Sequence, residues 1–289
     1  MPLEAMPLKA EQLETIDYRA PDSAQQFVNS LRNTGFGVLT NHPIKQSLVE
    51  TIYAQWQTFF DSDAKQAYLF STETHDGFFP ADVSETAKGN NVKDIKEFYH
   101  VYPWGRIPDE LRENILNYYD QANALAAELL SWVEAYTPAD IAANYSMALP
   151  KMIEESQRTL LRILHYPPLS GAEELGAIRA AAHEDINLLT LLPAANEPGL
   201  QVKSKQGKWL DVPSDFGNII INTGDMLQEA SGGYFPSTTH RVINPEGADK
   251  SRSRISLPLF LHPKPEVVLS ERYTAESYLM ERLRELGLI

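Results

Sequence analysis

The first half of the chain carries mainly helical hydrophobic patterns. Apolar residues recur every three or four positions in several segments, as on one face of an amphipathic helix, and Phe27 with Leu31 is one such pair. One short apolar run, FGVLTNH, breaks this pattern and predicts a strand. The elements predicted here are a helix from Asp22 or Ser23 to near Gly35, a strand at 36–42, a helix at 47–69, a loop at 75–91, a long helix opened by Pro108, and short helices at 138–146 and 148–157.

Beyond residue 157 the pattern changes to short runs rich in β-branched and aromatic residues, separated by Gly, Pro, Asn and Asp. Short strands at such regular spacing are typical of an antiparallel sandwich or barrel. The predicted strands lie at 159–166, 187–192, 200–204, 208–212, 218–222, 240–244 and 254–261, and a closing helix lies at 274–286.

The chain contains no Gly/Ser-rich or Pro-rich linker between its two halves. We therefore predict one domain over residues 1–289. Its first part, 1–157, is mainly helical, its core at 158–265 is built of strands, and 266–289 forms a C-terminal helix.

Charge and composition exclude several kinds of partner and site. Lys and Arg total 25 against 39 Asp and Glu, and a net charge of −14 disfavours binding to nucleic acid or to an anionic membrane surface. The absence of cysteine removes disulfides, thiolate metal sites and cysteine nucleophiles. No apolar run is long enough to span a membrane and no signal peptide is visible, so a cytoplasmic location is expected.

Three residues of the second half suggest a metal site made of nitrogen and oxygen ligands. His183 and Asp185 lie two residues apart, so on a strand both side chains would point to one face. His240 lies in a later strand-like run. Two neutral imidazoles and one carboxylate bind one face of Fe(II) and leave three positions open. A 2-oxo acid can fill two of these positions and O₂ the third.

Arg254 and Ser256 complete this interpretation, again at a two-residue spacing in a predicted strand. The distal carboxylate of 2-oxoglutarate needs a planar bidentate cation, which arginine supplies, and a serine on the same face adds a hydroxyl donor. Taken singly, each residue could instead be a surface or packing residue. Their order and spacing together favour the metal site.

At these residues the sequence resembles the isopenicillin N synthase-like family of Fe(II)/2-oxoglutarate-dependent dioxygenases. The family pattern His-x-Asp, then His, then Arg-x-Ser is matched, and the text at 199–242 is similar to family members throughout. The first half adds ID at 16–17, GFGVLTNHPI at 35–44, FF at 59–60 and KE at 96–97, which resemble the family's helical cap. The resemblance extends over almost the whole chain.

The resemblance implies a mainly β fold with helical support. The core would be a double-stranded β-helix, or jelly roll, with an N-terminal helical cap and a C-terminal helix. It also implies an oxidoreductase that uses Fe(II), 2-oxoglutarate and O₂, with ascorbate as an accessory reductant, and that oxidises a C–H bond of a small molecule, most often by hydroxylation. Desaturation and ring closure are family variants. No catalytic residue is expected beyond the metal ligands.

Two departures bear on the cosubstrate. Many relatives have Asn-x-Tyr before a Pro pair, and both side chains help to bind 2-oxoglutarate. This chain has Leu164 and Tyr166 there, so only the tyrosine can donate a hydrogen bond. Isopenicillin N synthase keeps Arg-x-Ser but uses no 2-oxoglutarate, so a cosubstrate-independent oxidase or cyclase is an alternative. A non-catalytic jelly-roll binding protein is an alternative of another class. A zinc hydrolase could use the same three ligands, but Arg254 and Ser256 would have no role in it.

Four residues are candidates for binding the substrate. Period-2 alternation places Arg162 on the same face as Tyr166, where a buried guanidinium needs an anionic partner. That partner is either an anionic group of the substrate or a protein carboxylate. Alternation also carries Phe260 to the face of Ser256. Tyr99 and Tyr102 belong to a segment that often lines the mouth of the site in the family. The sequence leaves the substrate and the oligomeric state open.

Overall fold

The computed structural model describes residues 13–83, 93–171, 173–174, 176–195, 198–213, 215–244 and 250–285. Among the described residues, five of the seven α-helices precede β5, the strand at Leu160–Tyr166. The bounds of all seven are α1 Ser23–Thr34, α2 Gln46–Phe60, α3 Asp109–Ala135, α4 Ala139–Ala142, α5 Leu149–Ile153, α6 Asp225–Ala230 and α7 Ala275–Glu285.

A nine-stranded sheet forms one layer. Its order is β1-β2-β10-β7-β13-β5-β4-β3, with β12 also paired to β5, and all pairs are antiparallel except β1 with β2. The strands are β1 Thr15–Asp17, β2 Phe36–Thr40, β3 Gly77–Phe79, β4 Glu97–Val101, β5 Leu160–Tyr166, β7 Leu189–Pro193, β10 Ile219–Thr223, β12 Arg254–Ser256 and β13 Leu259–Phe260.

A four-stranded sheet forms the second layer. Its order is β6-β11-β8-β9, and each pair in it is antiparallel. The strands are β6 Ala180–His183, β8 Leu200–Lys203, β9 Trp209–Asp211 and β11 His240–Val242.

The large sheet is buried on both faces, and the alternation of its side chains shows this directly. On β10, Ile219 and Ile221 join the core with α1, α2 and α3, whereas Ile220 joins a second core that lies between the sheets. The helices therefore cover one face of the large sheet and the small sheet covers the other. Strands buried on both faces read as continuous apolar runs, which is why Ile219–Ile221 contains no polar residue.

The structure corrects several sequence-based expectations. The predicted loop at 75–91 contains β3, whose first residue, Gly77, has φ +105 and lies against the backbone of Tyr68 and Phe70. A 3-10 turn follows at Ala81–Val83, and residues 84–91 lie outside the described residues. The helix predicted at 47–69 ends at Phe60 and is followed by a 3-10 turn at Asp63–Tyr68.

The part predicted as mainly helical, 1–157, also supplies strands β1 to β4 to the large sheet. Of these, β2 was predicted, but β1, β3 and β4 were not: they have only three to five residues and adjoin glycines or charged residues, so they lack a clear period-2 pattern. Helix α6 was likewise not expected. The treatment of 1–289 as one domain stays a prediction. Among the described helices none is both long and apolar enough to cross a membrane.

Candidate metal centre and active site

Three side chains meet at the end of the edge strand β6 and the start of its neighbour β11 in the small sheet. His183 is the last residue of β6, His240 is the first residue of β11, and the two are Cα partners in the antiparallel ladder. Each Nε2 lies 3.8 Å from Oδ1 of Asp185. The three candidate ligand atoms lie within 4.8 Å of one another, so the cluster can hold a metal ion.

The backbone orients both imidazoles for metal binding. Nδ1 of His183 lies 2.7 Å from the carbonyl oxygen of Ala181, and Nδ1 of His240 lies 3.1 Å from that of Thr238. A carbonyl only accepts hydrogen bonds, so each Nδ1 must carry the proton. Each Nε2 is therefore the ring nitrogen left to face the cluster, and in the neutral imidazole it carries the lone pair that a metal ligand requires.

Asp185 is held by two polar side chains. Thr190 Oγ1 and Asn222 Nδ2 donate to its Oδ2 over 2.6 and 2.8 Å, and Asn187 Nδ2 donates in turn to Thr190 Oγ1 over 3.0 Å. Oδ1 remains directed at the imidazoles. The expectation that Asp185 shares a strand with His183 was wrong, because β6 ends at His183. These hydrogen bonds, and not strand alternation, place the carboxylate.

The ionisation states suit a divalent cation. Burial and the neighbouring His240 lower the pKa of His183 to about 4, although 39% of its side chain stays accessible from the recess in front of it. Burial raises the pKa of Asp185, but the two imidazoles, Asn222 and Thr190 outweigh it and hold that pKa below its usual value. At neutral pH the set is therefore one carboxylate and a neutral His183.

Arg254, Ser256 and Tyr166 line the recess that contains the three candidate ligands. Arg254 and Tyr166 are Cα partners across β12 and β5, and Ser256 pairs in the same way with Leu164. Arg254 is 2% exposed, donates from Nη1 to the carbonyl oxygen of Pro198 over 2.8 Å, and has its guanidinium carbon 5.8 Å from the ring centre of Tyr166. The structure thus brings together all six residues predicted for metal and cosubstrate.

Arg162 also lines the recess, as alternation along β5 predicts. Its guanidinium carbon lies 4.5 Å from the ring centre of Phe98 and 5.5 Å from that of Phe260. Its Nε donates to Nε2 of His100 over 2.9 Å, and Nδ1 of His100 donates to the carbonyl oxygen of His75 over 2.9 Å. The chain of hydrogen bonds fixes a neutral tautomer of His100 and orients Arg162.

This geometry agrees with what known proteins show. A model of the 2OG-Fe(II) oxygenase superfamily matches residues 157–263, and a model described as non-haem dioxygenase in morphine synthesis N-terminal matches residues 10–123. A solved structure of an oxygenase from Shewanella oneidensis is 72% identical, with a TM-score of 0.89 and coverage of 96% of this chain and 100% of that one. The chain belongs to the 2OG-Fe(II) oxygenase superfamily.

Curated relatives carry the same chemistry in their names. The oxygenase is 29% identical over 266 residues to 2-oxoglutarate-dependent dioxygenase 11 of Oryza sativa subsp. japonica, covering 86% of this chain and 70% of the relative. It is 28% identical over 297 residues to proline hydroxylase buaE of Petromyces alliaceus, covering 90% of this chain and 89% of the relative. The predicted family, the jelly-roll fold and the enzyme class are confirmed.

Fe(II) and 2-oxoglutarate are the cofactor and cosubstrate of this oxygenase. The residues present fit both groups. The cluster of two imidazoles and one carboxylate is the donor set that non-haem Fe(II) oxygenases use, and it would hold the ion at the recess. The buried Arg254 faces the same recess and suits a carboxylate.

Of the three other residues predicted to bind the substrate, one lies at the recess and two do not. Phe260 lines the recess, but Tyr99 and Tyr102 are not among the described residues that do. Tyr99 pairs with Ile163 on β5, faces the helices, and donates from its hydroxyl to the carbonyl oxygen of Arg106 over 2.7 Å. Tyr102 stacks on Trp104, with ring centres 4.6 Å apart. The assignment of Tyr99 to the substrate was wrong because alternation along β4 directs its neighbours inward instead.

Sequence reasoning missed several residues at or beside the recess. Phe98 and His100, those inward neighbours, are not among the described residues that line the recess, but both contact Arg162, which does. A β4 strand recognised in the sequence would have identified them. Asn222 follows the apolar residues of β10 and donates to Asp185. A polar amide at the end of an apolar strand is the sequence signal that could have identified it. Lys96 also lines the recess although it is only 7% exposed, and its one sequence signal was the KE pair.

Proposed function

We propose that this enzyme hydroxylates a C–H bond of a small anionic molecule, with conversion of 2-oxoglutarate to succinate and CO₂. In this proposal His183, Asp185 and His240 bind Fe(II). Arg254, Ser256 and Tyr166 bind 2-oxoglutarate, and Arg162 with Phe260 binds the substrate. The observation that carries it is the convergence of the triad and both arginines on one recess.

The protein's own contribution is to hold, orient and shield the reactants. When bound, Fe(II) and 2-oxoglutarate supply the oxidising chemistry that no side chain can perform. The carbonyl oxygens of Ala181 and Thr238 orient both imidazoles with Nε2 toward the cluster, and Thr190 with Asn222 holds the Asp185 carboxylate in place. Arg254 and Ser256 lie one strand away from Tyr166 and Leu164, so a carboxylate bound there is held in the buried wall of the recess.

An anionic substrate is supported by the surroundings of Arg162. Phe98 and Phe260 flank a guanidinium whose Nε is engaged by His100. A planar cation between apolar rings, adjoining the metal cluster, suits a carboxylate or phenolate attached to an apolar body. Hydroxylation is supported by the name of a relative, a proline hydroxylase.

Succinate formation from 2-oxoglutarate in the presence of Fe(II) and ascorbate tests the cosubstrate roles. The wild type should form succinate, and Arg254→Gln should lower the affinity for 2-oxoglutarate by about 10-fold or more, since it removes a charge-assisted bidentate contact. Arg241→Gln is the matched control. Arg241 follows His240 directly but lies over the ring of Trp209, 4.1 Å from its centre, outside the recess.

Two results would redirect the proposal. A wild type that binds Mn(II) but not 2-oxoglutarate would point to an oxidase of the isopenicillin N synthase kind. A protein that binds no divalent metal would point to a non-catalytic jelly-roll binding protein. Equal 2-oxoglutarate affinity in Arg254→Gln and wild type would remove Arg254 from the cosubstrate site.

A further inference from the structure

Lys96 is a buried ammonium in the wall of the active-site recess, and none of the roles above uses it. The side chain is 8% exposed, and Nζ lies 2.8 Å from Oδ2 of Asp94, whose own side chain is 6% exposed. A lysine that is more than nine-tenths buried is uncommon unless it is paired or functional. Of its three N–H donors, one reaches Asp94, and no other hydrogen bond to a described residue is present.

The register of the large sheet places Lys96 beside the cosubstrate residues. Glu97 pairs with His165, so Lys96 comes next to Tyr166, and Tyr166 pairs on its other side with Arg254. Lys96, Tyr166 and Arg254 all line the recess. The ammonium is close enough to lower the pKa of Tyr166, against the raising effect of burial, and that of His183. It therefore lies on the side of Tyr166 away from Arg254, in the wall of the recess that contains the metal cluster.

One inward-facing position of β5 next to Tyr166 carries no hydrogen-bond donor. Leu164 lies one alternation step from Tyr166, faces the recess, and offers no hydrogen bond. Its Cα partner on β4 is Phe98, which is equally apolar. Leu164 and Phe98 are both apolar, so the donor beside Tyr166 on the side away from Arg254 comes from Lys96, which directly precedes β4.

We propose that Lys96 is a cosubstrate-binding residue that donates a charge-assisted hydrogen bond to a carboxylate of 2-oxoglutarate beside Tyr166. The inference rests on the proposed function, since it needs 2-oxoglutarate in this recess. Asp94 has two tasks in this arrangement. Oδ2 holds the lysine, and Oδ1 accepts a hydrogen bond of 3.0 Å from the amide of Ala181, the residue whose carbonyl oxygen orients His183.

The contact with Ala181 allows a competing explanation. In it Lys96 binds no cosubstrate and only holds Asp94 in place, and Asp94 in turn positions β6 and the proposed metal ligand His183. The two explanations predict different binding losses. A cosubstrate residue affects 2-oxoglutarate affinity and leaves metal affinity alone. A residue that only positions Asp94 and His183 affects the metal affinity first, and the 2-oxoglutarate affinity only as a consequence.

The test is calorimetric titration of the full chain, first with Mn(II) alone and then with 2-oxoglutarate on the Mn(II)-loaded protein, without turnover. Lys96→Met should raise the Kd for 2-oxoglutarate about 10- to 100-fold, as loss of a charge-assisted hydrogen bond does. The Kd for Mn(II) should stay within about twofold. Lys96→Arg should recover part of the 2-oxoglutarate affinity because it keeps charge and donors.

Two further variants keep the test decisive. Asp94→Asn/Lys96→Met removes both charges together, in case Lys96→Met alone fails to fold around an unpaired carboxylate. Lys65→Met is the matched control, because Lys65 pairs with Glu97, the residue directly after Lys96, and its Nζ lies over the ring of Phe78 in the core formed with the helices. It should leave 2-oxoglutarate affinity unchanged.

Unchanged 2-oxoglutarate affinity in Lys96→Met and in the double variant would overturn the inference. A parallel loss of Mn(II) affinity would overturn it in favour of the competing explanation. If the wild type itself binds no 2-oxoglutarate, the cosubstrate assignment fails as a whole, and this outcome is distinct from wild-type binding that survives loss of Lys96.

Discussion

Individual hydrogen bonds decide how well Asp185 can serve as a metal ligand. Thr190→Val removes the hydroxyl that donates to Oδ2 over 2.6 Å while keeping the shape of the side chain. Loss of such a supporting contact to a ligand costs about 10- to 100-fold in metal affinity. We therefore expect Thr190→Val to weaken Mn(II) binding by about 10-fold or more, measured by titration calorimetry.

Thr223→Val is the control for this prediction. Thr223 follows Asn222 on β10 and is equally buried, but its hydroxyl has no hydrogen-bond partner among the described residues. Its replacement should leave Mn(II) affinity unchanged. Equal affinities in the two variants would show that the Thr190 hydroxyl does not tune the carboxylate.

Arg162 should matter for the substrate and not for the cosubstrate. Arg162→Met keeps an apolar chain between Phe98 and Phe260 but removes the guanidinium. In a panel of small carboxylic acids and their neutral amides, we expect the acids to stimulate succinate formation by the wild type. Arg162→Met should raise the KM for a stimulating acid about 10-fold or more, as loss of a charge-assisted hydrogen bond does.

The basal reaction provides the internal control for Arg162. Succinate formed without any added substrate should stay within about twofold of wild type, because Arg254 and Ser256 are untouched. If the amides stimulate the wild type as well as the acids do, the substrate need not be anionic. If basal turnover collapses, Arg162 supports the cosubstrate or the fold instead.

At the scale of the element, alternation along strands explains both the successes and the failures of sequence reasoning. The pattern of β5 placed Arg162, Leu164 and Tyr166 on one face, and the structure agrees. The same rule was wrongly used to place Asp185 on the face of His183, because β6 ends at His183 and Asp185 follows it. Tyr99 was misassigned because β4 was not recognised as a strand, so no face could be given to its residues.

Pairing partners distant in sequence were beyond such rules. The approach of His183 to His240 depends on β6 pairing with β11, and no local pattern specifies that register. The jelly-roll topology and the proposed cosubstrate role of Tyr166 came from the family resemblance. Composition and spacing alone reached only an antiparallel sandwich or barrel with a metal site.

The junction between β10 and α6 supports the site through a close backbone approach. A Cβ on Gly224 would clash with the carbonyl oxygen and the side chain of Asn187, the residue that holds Thr190. Gly224→Ala should therefore displace Asn187, lower stability by about 1–3 kcal/mol as overpacking does, and weaken Mn(II) binding. Chemical denaturation and metal titration measure the two effects.

A control at a second glycine distinguishes displacement of Asn187 from a general loss of stability. Gly207 has φ +79, so alanine is strained there, but its Cβ would meet nothing within 4 Å. Gly207→Ala should cost about 1 kcal/mol and leave Mn(II) affinity intact. Intact Mn(II) affinity in Gly224→Ala would show that Asn187 can move without disturbing Asp185.

The whole molecule has a net charge of −14, yet its active-site recess is lined by cations. Lys96, Arg162 and Arg254 all face the recess that holds the metal cluster. The net charge of −14 therefore reflects the rest of the molecule and does not predict the charge of the ligand. A dianionic cosubstrate is compatible with this protein because the local charge at the site has the opposite sign.

Two histidines make the folded state sensitive to acid. Burial is the main cause that lowers the pKa of His183 and of His262 to about 4, and the proximity of His240 adds to it for His183. In the unfolded chain both return to about 6.5, so below that pH the unfolded state binds more protons. Their stabilising contribution is complete above about pH 6.5 and is lost as the pH falls towards 4.

Replacing His262 tests this dependence without touching a proposed metal ligand. His262→Asn should make the free energy of unfolding fall less steeply between pH 6.5 and 4 than in the wild type, measured by urea denaturation at several pH values. His75→Asn is the control, because His75 is exposed and its φ of +57 is a conformation that asparagine tolerates. If His262→Asn keeps the wild-type slope, acid sensitivity arises from other groups, and the neutral His262 contributes nothing to it.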